Sequence, residues 1–143
     1  MKNITTALFA LGLVATSATQ AHAADTELTL TVTSIENHTG TLMVAVFDSA
    51  EAWSGGSPVA GARIDVSSET ATAAIGTLPA GQYAIRMYHD VNGNGEMDTN
   101  LMGIPSEPFA FSNNAQGRFG PASWEDSVFE IAGQNVTHSV RLD

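Results

Sequence analysis

The densest chemistry in the chain lies between His89 and Asp98, which reads His-Asp-Val-Asn-Gly-Asn-Gly-Glu-Met-Asp. Side-chain oxygens fall at alternate positions, Asp90, Asn92 and Asn94; Gly95 follows, then Glu96 and Asp98. This is the ligand order of the first half of an EF-hand loop. There, positions 1, 3 and 5 supply side-chain oxygens, position 6 is glycine, position 7 offers its carbonyl and position 9 another oxygen. Carboxylate and amide oxygens are hard donors that suit Ca²⁺ far better than zinc. The expected metal ligands are therefore Asp90, Asn92, Asn94, Glu96 and Asp98, with Ca²⁺ as the ion.

Position 12, where a bidentate glutamate normally closes the site, is Leu101. Only Asp90 and Asp98 bring full charge from the expected side-chain positions, unless Glu96, Glu107, Glu125 or Asp126 folds in. Affinity falls with fewer charged ligands, so the expectation is the roughly millimolar-to-submillimolar range of extracellular modules. Such an ion rigidifies the loop and is not catalytic. The competing reading needs no ion, because Asn92-Gly93 and Asn94-Gly95 are both type I′ turn sequences.

Other site chemistry is sparse. His38, His89 and His138 lack the paired spacing of a histidine metal site and read as polar contacts at strand ends. Cysteine is absent, and no Gly-x-Ser-x-Gly elbow exists, so nucleophilic catalysis has no local signature. Glu125-Asp126 reads as a solvated turn, since adjacent strand or turn residues point apart. The chain is expected not to be an enzyme. The segment from Phe109 to Trp124 combines four aromatics (Phe109, Phe111, Phe119, Trp124) with Asn113 and Asn114. Exposed, these suit carbohydrate or peptide recognition; buried, they plug the end of the fold.

Compartment follows from the N-terminus. Met1-Lys2 is a short positive region, Ala7 to Val14 is apolar, and Ala21-His22-Ala23 is an A-x-A cleavage pattern. Residues 1–23 are read as a signal peptide and 24–143 as a single β-sandwich domain. The apolar run is shorter than the about 20 residues needed to span a bilayer, so no transmembrane segment is expected and the protein is periplasmic or secreted. Five basic residues against 15 acidic ones give a net charge of −10, and removal of Lys2 with the leader makes it more negative. This acidic surface repels nucleic acid and anionic head groups. The partner class is an unidentified ligand or protein, and a monomer is expected.

The elements that must position the loop are strands. Glu27 to Ile35 alternates Leu28, Leu30 and Val32 against Thr29, Thr31 and Thr33, and Thr41 to Phe47 places Leu42, Val44 and Val46 on one side. With Glu36 to Gly40 as a turn between them, the two read as an antiparallel hairpin. A helical turn fits only Ser49 to Ala52. Arg63 to Val66 and Thr70 to Ile75 are short strands, and Gln82 to Tyr88 delivers the chain into the oxygen-rich loop. Leu101 to Asp126 is a long ordered excursion. Val128 to Ile131 and Val136 to Leu142 read as a closing hairpin. The sum is all-β: an antiparallel Ig-like or prealbumin-like sandwich of about seven strands with one long ordered loop.

From Leu78-Pro79-Ala80-Gly81-Gln82-Tyr83 onward the motifs are long. They run through His89 to Asn100, Gly103-Ile104-Pro105-Ser106-Glu107-Pro108, Phe111-Ser112-Asn113-Asn114 and Phe119-Gly120-Pro121. Together they resemble a family of exported bacterial proteins catalogued only as a domain of unknown function. The resemblance spans essentially the whole mature chain and implies an exported β-domain without an assigned activity. This chain departs from the family pattern at Ala110, where the pattern has glycine. The Leu-Pro-x-Gly-x-Tyr turn also resembles carboxypeptidase-regulatory and collagen-binding B-type sandwiches. Those that form isopeptide bonds need a lysine, which the mature chain lacks.

The function expected from these readings is an exported binding or envelope-associated module with a calcium-stabilised loop. A carboxylate-based hydrolase would instead require Asp98, Glu107 and a histidine in one cleft, and an assembly subunit would require an open edge strand.

Overall fold

The structure, a computed structural model, describes residues 25–142; the leader assigned to residues 1–23 lies outside them. Eight strands form two sheets. They are β1 (Thr26–Thr33), β2 (Thr41–Phe47), β3 (Ala60–Asp65), β4 (Ala71–Leu78), β5 (Gly81–Asp90), β6 (Phe109–Phe111), β7 (Phe129–Ile131) and β8 (Val136–Arg141). Two one-turn helices interrupt them, α1 (Ala50–Trp53) and α2 (Trp124–Ser127). One sheet has the order β4-β1-β8 and the other β3-β2-β5-β6, with β7 also paired to β5. The architecture is the all-β sandwich expected from period-two alternation.

The alternating apolar residues meet between the sheets. Leu28, Leu30 and Val32 of β1 face Leu42, Val44 and Val46 of β2, with Ile85 and Met87 of β5 and Val140 of β8 in the same buried cluster. α1 starts where Ser49 Oγ accepts from Ala52 N–H and caps it. That helical turn falls where the sequence places it.

Two pairings differ from the sequence reading. β1 and β2 do not form a hairpin: β1 joins β4 and β8, whereas β2 joins β3 and β5. Ser34, with φ 62°, and Gly40, with φ 78°, turn the chain across from one sheet to the other. A left-handed backbone at Gly40 is natural for glycine, and a Cβ there would meet the Asp90 carbonyl at 2.2 Å. The closing hairpin is also absent. β7 pairs antiparallel with β5, while β8 pairs parallel with β1, from Leu28↔Val136 to Thr33↔Arg141. Gly133, at φ 79°, switches the chain between sheets. One pair in the fold is thus parallel, and eight strands stand in place of about seven.

The outer face of the larger sheet controls the site. Register places Met43 opposite Tyr88 and Tyr88 opposite Phe109; the next row sets Ala45 opposite Arg86 and Arg86 opposite Phe111. At one end this face carries a second apolar cluster, Phe47, Trp53, Ala84, Phe111 and Ala122. Trp53 packs edge-on against Phe47, Phe111 and Trp124 at 5.5, 5.9 and 6.3 Å, and its indole N–H donates to the Ala122 carbonyl at 3.0 Å. Edge-to-face aromatic contacts add to the gain from buried area. The remainder of the outer face, from the Met43–Tyr88–Phe109 row outward, is not sealed by this cluster.

Candidate functional site

The loop after β5 is organised by a buried carboxylate. Asp90 is fully buried; its Oδ1 accepts from Gly93 N and Asn94 N at 2.8 and 3.1 Å, and its Oδ2 from Gly95 N at 2.8 Å. Charge-assisted bonds from three backbone amides supply the partners that a desolvated carboxylate requires. Asn92 Oδ1 accepts from Asn94 N at 3.0 Å and Asn94 Oδ1 from Glu96 N at 2.8 Å. Both are side-chain turns two residues long, the local chemistry that favours asparagine in tight loops. The amide nitrogens of Asn92 and Asn94 both donate to the Asp98 carboxylate, at 2.5 and 3.0 Å.

Of the carboxylates that the sequence allows to fold in on the loop (Glu96, Glu107, Glu125 and Asp126), Glu107 is the one that bonds its backbone. Buried, it bridges the two ends of the loop: Oε1 accepts from Val91 N at 3.0 Å and Oε2 from Asp98 N at 3.1 Å. In the sequence it stands between Ser106 and Pro108, within Gly-Ile-Pro-Ser-Glu-Pro. Leu101, at the twelfth position, is fully exposed. Glu96 is exposed, with its backbone N–H engaged on Asn94. Glu125 and Asp126 stand apart on α2, where Asp126 N and Oδ2 both bond Ser123 Oγ.

The loop therefore brings Asp90, Asn92, Asn94 and Asp98 together, with Glu107 behind them. As a donor set for Ca²⁺ it offers hard oxygens on a preformed turn, the chemical type that ion prefers. Among the described residues, no three His, Asp or Glu side chains form a metal-holding group; the loop contributes two carboxylates and two amides.

The histidines occupy separate places. His89 Nε2 lies 2.6 Å from the Thr39 carbonyl and His38 Nε2 3.1 Å from that of Ile35. His138 stacks on Phe129 with centroids 4.1 Å apart, and its Nε2 accepts from Asn113 N at 3.2 Å. Burial pushes the His138 pKa below its ordinary value. The Ser-Asn-Asn motif is a staple. Ser112 Oγ bonds Ile85 N and the Ser127 carbonyl, Asn113 Nδ2 donates to the Val128 carbonyl at 2.8 Å, and Asn114 Oδ1 accepts from Arg141 N at 2.7 Å. Asn113 and Asn114 hold φ of 60° and 51°, a conformation asparagine tolerates better than most residues.

Beside the loop runs an apolar groove of about 1010 Å³ on the outer face of β2, β5 and β6. Met43, Tyr88 and Phe109 line its floor, Met97, Met102 and Ile104 one wall, and Phe119 the opposite lip. Met102 is 77% exposed, Ile104 52% and Phe109 38%, and Phe119 is fully exposed. The aromatics of the long segment thus divide. Phe111 packs into the cluster around Trp53, whereas Phe109 and Phe119 are left on the groove.

Residues 98–106 form the groove wall as a small hairpin. Asn100 Oδ1 accepts from Met102 N and Ile104 N at 2.9 and 3.1 Å, and Ser106 N donates to the Asp98 carbonyl at 2.9 Å. The polar loop and the apolar wall are consecutive pieces of one chain segment, both anchored through Asp98.

Among the described residues no helix is long and apolar enough to cross a membrane. No match was found among curated proteins or among solved structures. The model of the bacterial family described as "Uncharacterized protein conserved in bacteria" (DUF2141) matches residues 30–139, from β1 to β8, and the chain belongs to this family.

Proposed function

We propose that the protein is an exported, non-enzymatic binding module whose outer-face groove takes an apolar ligand, with the Asp90–Asp98 loop as a calcium-stabilised support for one wall. The observation that carries this reading is the groove itself. Met102, Ile104, Phe109 and Phe119 leave large apolar side chains in water around one concavity. Contiguous exposed apolar surface of this kind marks a binding site far more often than single scattered residues do. A bound ligand would bury these side chains, each contributing favourably in proportion to its apolar area.

The loop supports the wall through Asp98, which receives both asparagine amides on its carboxylate and carries the Ser106 bond on its carbonyl. A cation held by side-chain oxygens of this loop would stiffen that segment without taking part in chemistry. The leader-like N-terminus and the acidic composition support an exported setting, where millimolar calcium is the relevant range for weak sites.

The test is titration with a neutral naphthylamine fluorophore whose emission rises in apolar surroundings. Saturable enhancement in the micromolar range, about −8 kcal/mol, is expected for the native chain. Ile104→Asp, on an exposed position, should abolish it while leaving thermal unfolding unchanged. Equal enhancement by both proteins would contradict the reading.

A further inference from the structure

The groove contains one group that a purely apolar ligand does not explain. Arg86 projects from β5 between Ala84 and Tyr88 on the outer face and lines the groove where it meets the Trp53 cluster. Its guanidinium carbon lies 4.6 Å from the Phe47 ring centroid and 4.3 Å from that of Trp53, and Nη2 donates to the Trp53 carbonyl. Its Nε is buried without an acceptor. Among the described residues no acidic side chain offsets this burial, and desolvation alone lowers its pKa.

In a chain with 15 acidic residues and five basic ones, a guanidinium left without a carboxylate is unusual. Cation–π contacts recover part of its desolvation cost, and an uncompensated charge remains. A second arginine lies on the same face: Arg63 sits opposite Met43 in register, and at Tyr88 its charge is outweighed by burial and by the carboxylates of Asp90 and Glu107. Among the described residues, Arg86 is the one charged side chain that lines the groove, on a protein that is acidic overall.

We propose that the groove takes a long-chain fatty acid. Its carboxylate meets Arg86 at the covered end, and its alkyl tail runs over Met43 and Tyr88 toward Met102 and Ile104. This rests on the apolar-ligand reading and narrows it to one chemical class. The planar guanidinium fork matches the two oxygens of a carboxylate. The acidic surface elsewhere disfavours approach to a multiply anionic membrane, which favours a free single-chain amphiphile. The groove volume of about 1010 Å³ is ample for one acyl chain by comparison with ordinary ligand sites.

The test displaces the neutral fluorophore from the full mature chain with dodecanoate, its methyl ester, and a trimethylammonium surfactant of equal chain length. Dodecanoate should displace at least about tenfold more tightly than the ester, as a charge-assisted pair requires, and the cation should be weakest. Arg86→Met should bring acid and ester to equal affinity while the fluorophore still binds. Should that variant fail to fold, the comparison of the three ligands on the native chain decides alone. Equal displacement by acid and ester overturns the fatty-acid proposal and leaves apolar binding standing. Absence of any fluorophore binding removes both, as does a dimer by light scattering whose groove is closed by a second copy of the chain.

Discussion

The hydroxyl of Tyr88 donates to the carbonyl of Gly95 at 3.1 Å. Tyr88 is a residue of the groove floor, and Gly95 is the turn glycine of the oxygen-rich loop. One side chain therefore links the apolar surface to the loop that shapes its wall. Order in the loop and capacity of the groove should change together.

Removing the buried carboxylate should cost most. Asp90→Asn retains the volume but loses the charge and one acceptor oxygen beneath the N–H groups of Gly93, Asn94 and Gly95. Destabilisation of about 2–4 kcal/mol is expected from the loss of charge-assisted bonds. Glu107→Gln leaves one of the Val91 and Asp98 amides unsatisfied, for about 1–2 kcal/mol. Urea unfolding measures both.

Calcium should raise stability modestly. With a dissociation constant near one millimolar, ten millimolar calcium adds about 1.4 kcal/mol through preferential binding to the folded chain. The effect should vanish in Asp98→Asn, whose two asparagine partners lose their anion. Thermal unfolding of chelator-treated protein with and without calcium checks this, with magnesium as the comparison ion. Equal stabilisation of both proteins would place the ion elsewhere.

Acid should weaken the fold through His138. Burial holds its folded pKa below the ordinary 6.5, so the unfolded chain binds the proton more readily. The stability it contributes is complete above pH 6.5, declines as the pH falls toward the folded value, and is constant below that. In His138→Gln this component of the slope should disappear. Denaturant unfolding at pH 7.5, 6.5 and 5.5, taken as the difference between the two proteins, isolates it.

Phe119 combines a left-handed backbone, φ 59°, with a fully exposed ring. A side chain in that conformation costs about 1–2 kcal/mol, and the exposed ring gains no burial that repays it. Phe119→Gly should stabilise the protein by about 0.5–1 kcal/mol, after the larger entropy of glycine in the unfolded chain is counted. The same variant should weaken fluorophore binding severalfold. Stability and affinity moving in opposite directions is the signature of a residue kept for its ligand.

Much of this architecture is legible in the sequence. The alternation in β1, β2 and β5 is a direct consequence of sheet geometry, so the sandwich and its core could be read from it. Pairing could not, because Val136 to Arg141 alternates equally well beside β7 or beside β1; Gly133 decides it by redirecting the chain. The turn that Asp90 organises is local, its partners Gly93, Asn94 and Gly95 lying within five residues. Glu107 reaches back to Val91 and Asp98 across a hairpin, and periodicity carries no record of such a return. The aromatics of the long segment could be counted but not sorted. Trp53 draws in Phe111 and Trp124, and what remains, Phe109 and Phe119, lines the groove. Arg86 went unmarked, because one charge on the outward face of a strand is ordinary; its burial between Phe47 and Trp53 is set by the aromatic cluster.

The most direct test of the groove is methyl-labelled methionine NMR during titration with dodecanoate. Met43, Met97, Met102 and Met87 all border the groove, but the side chain of Met87 is buried, 3% exposed, in the core cluster between the sheets. Saturable shifts of the first three methyl signals, with that of Met87 nearly stationary, are predicted. Unmoved signals from Met43, Met97 and Met102 at saturating ligand would contradict the account.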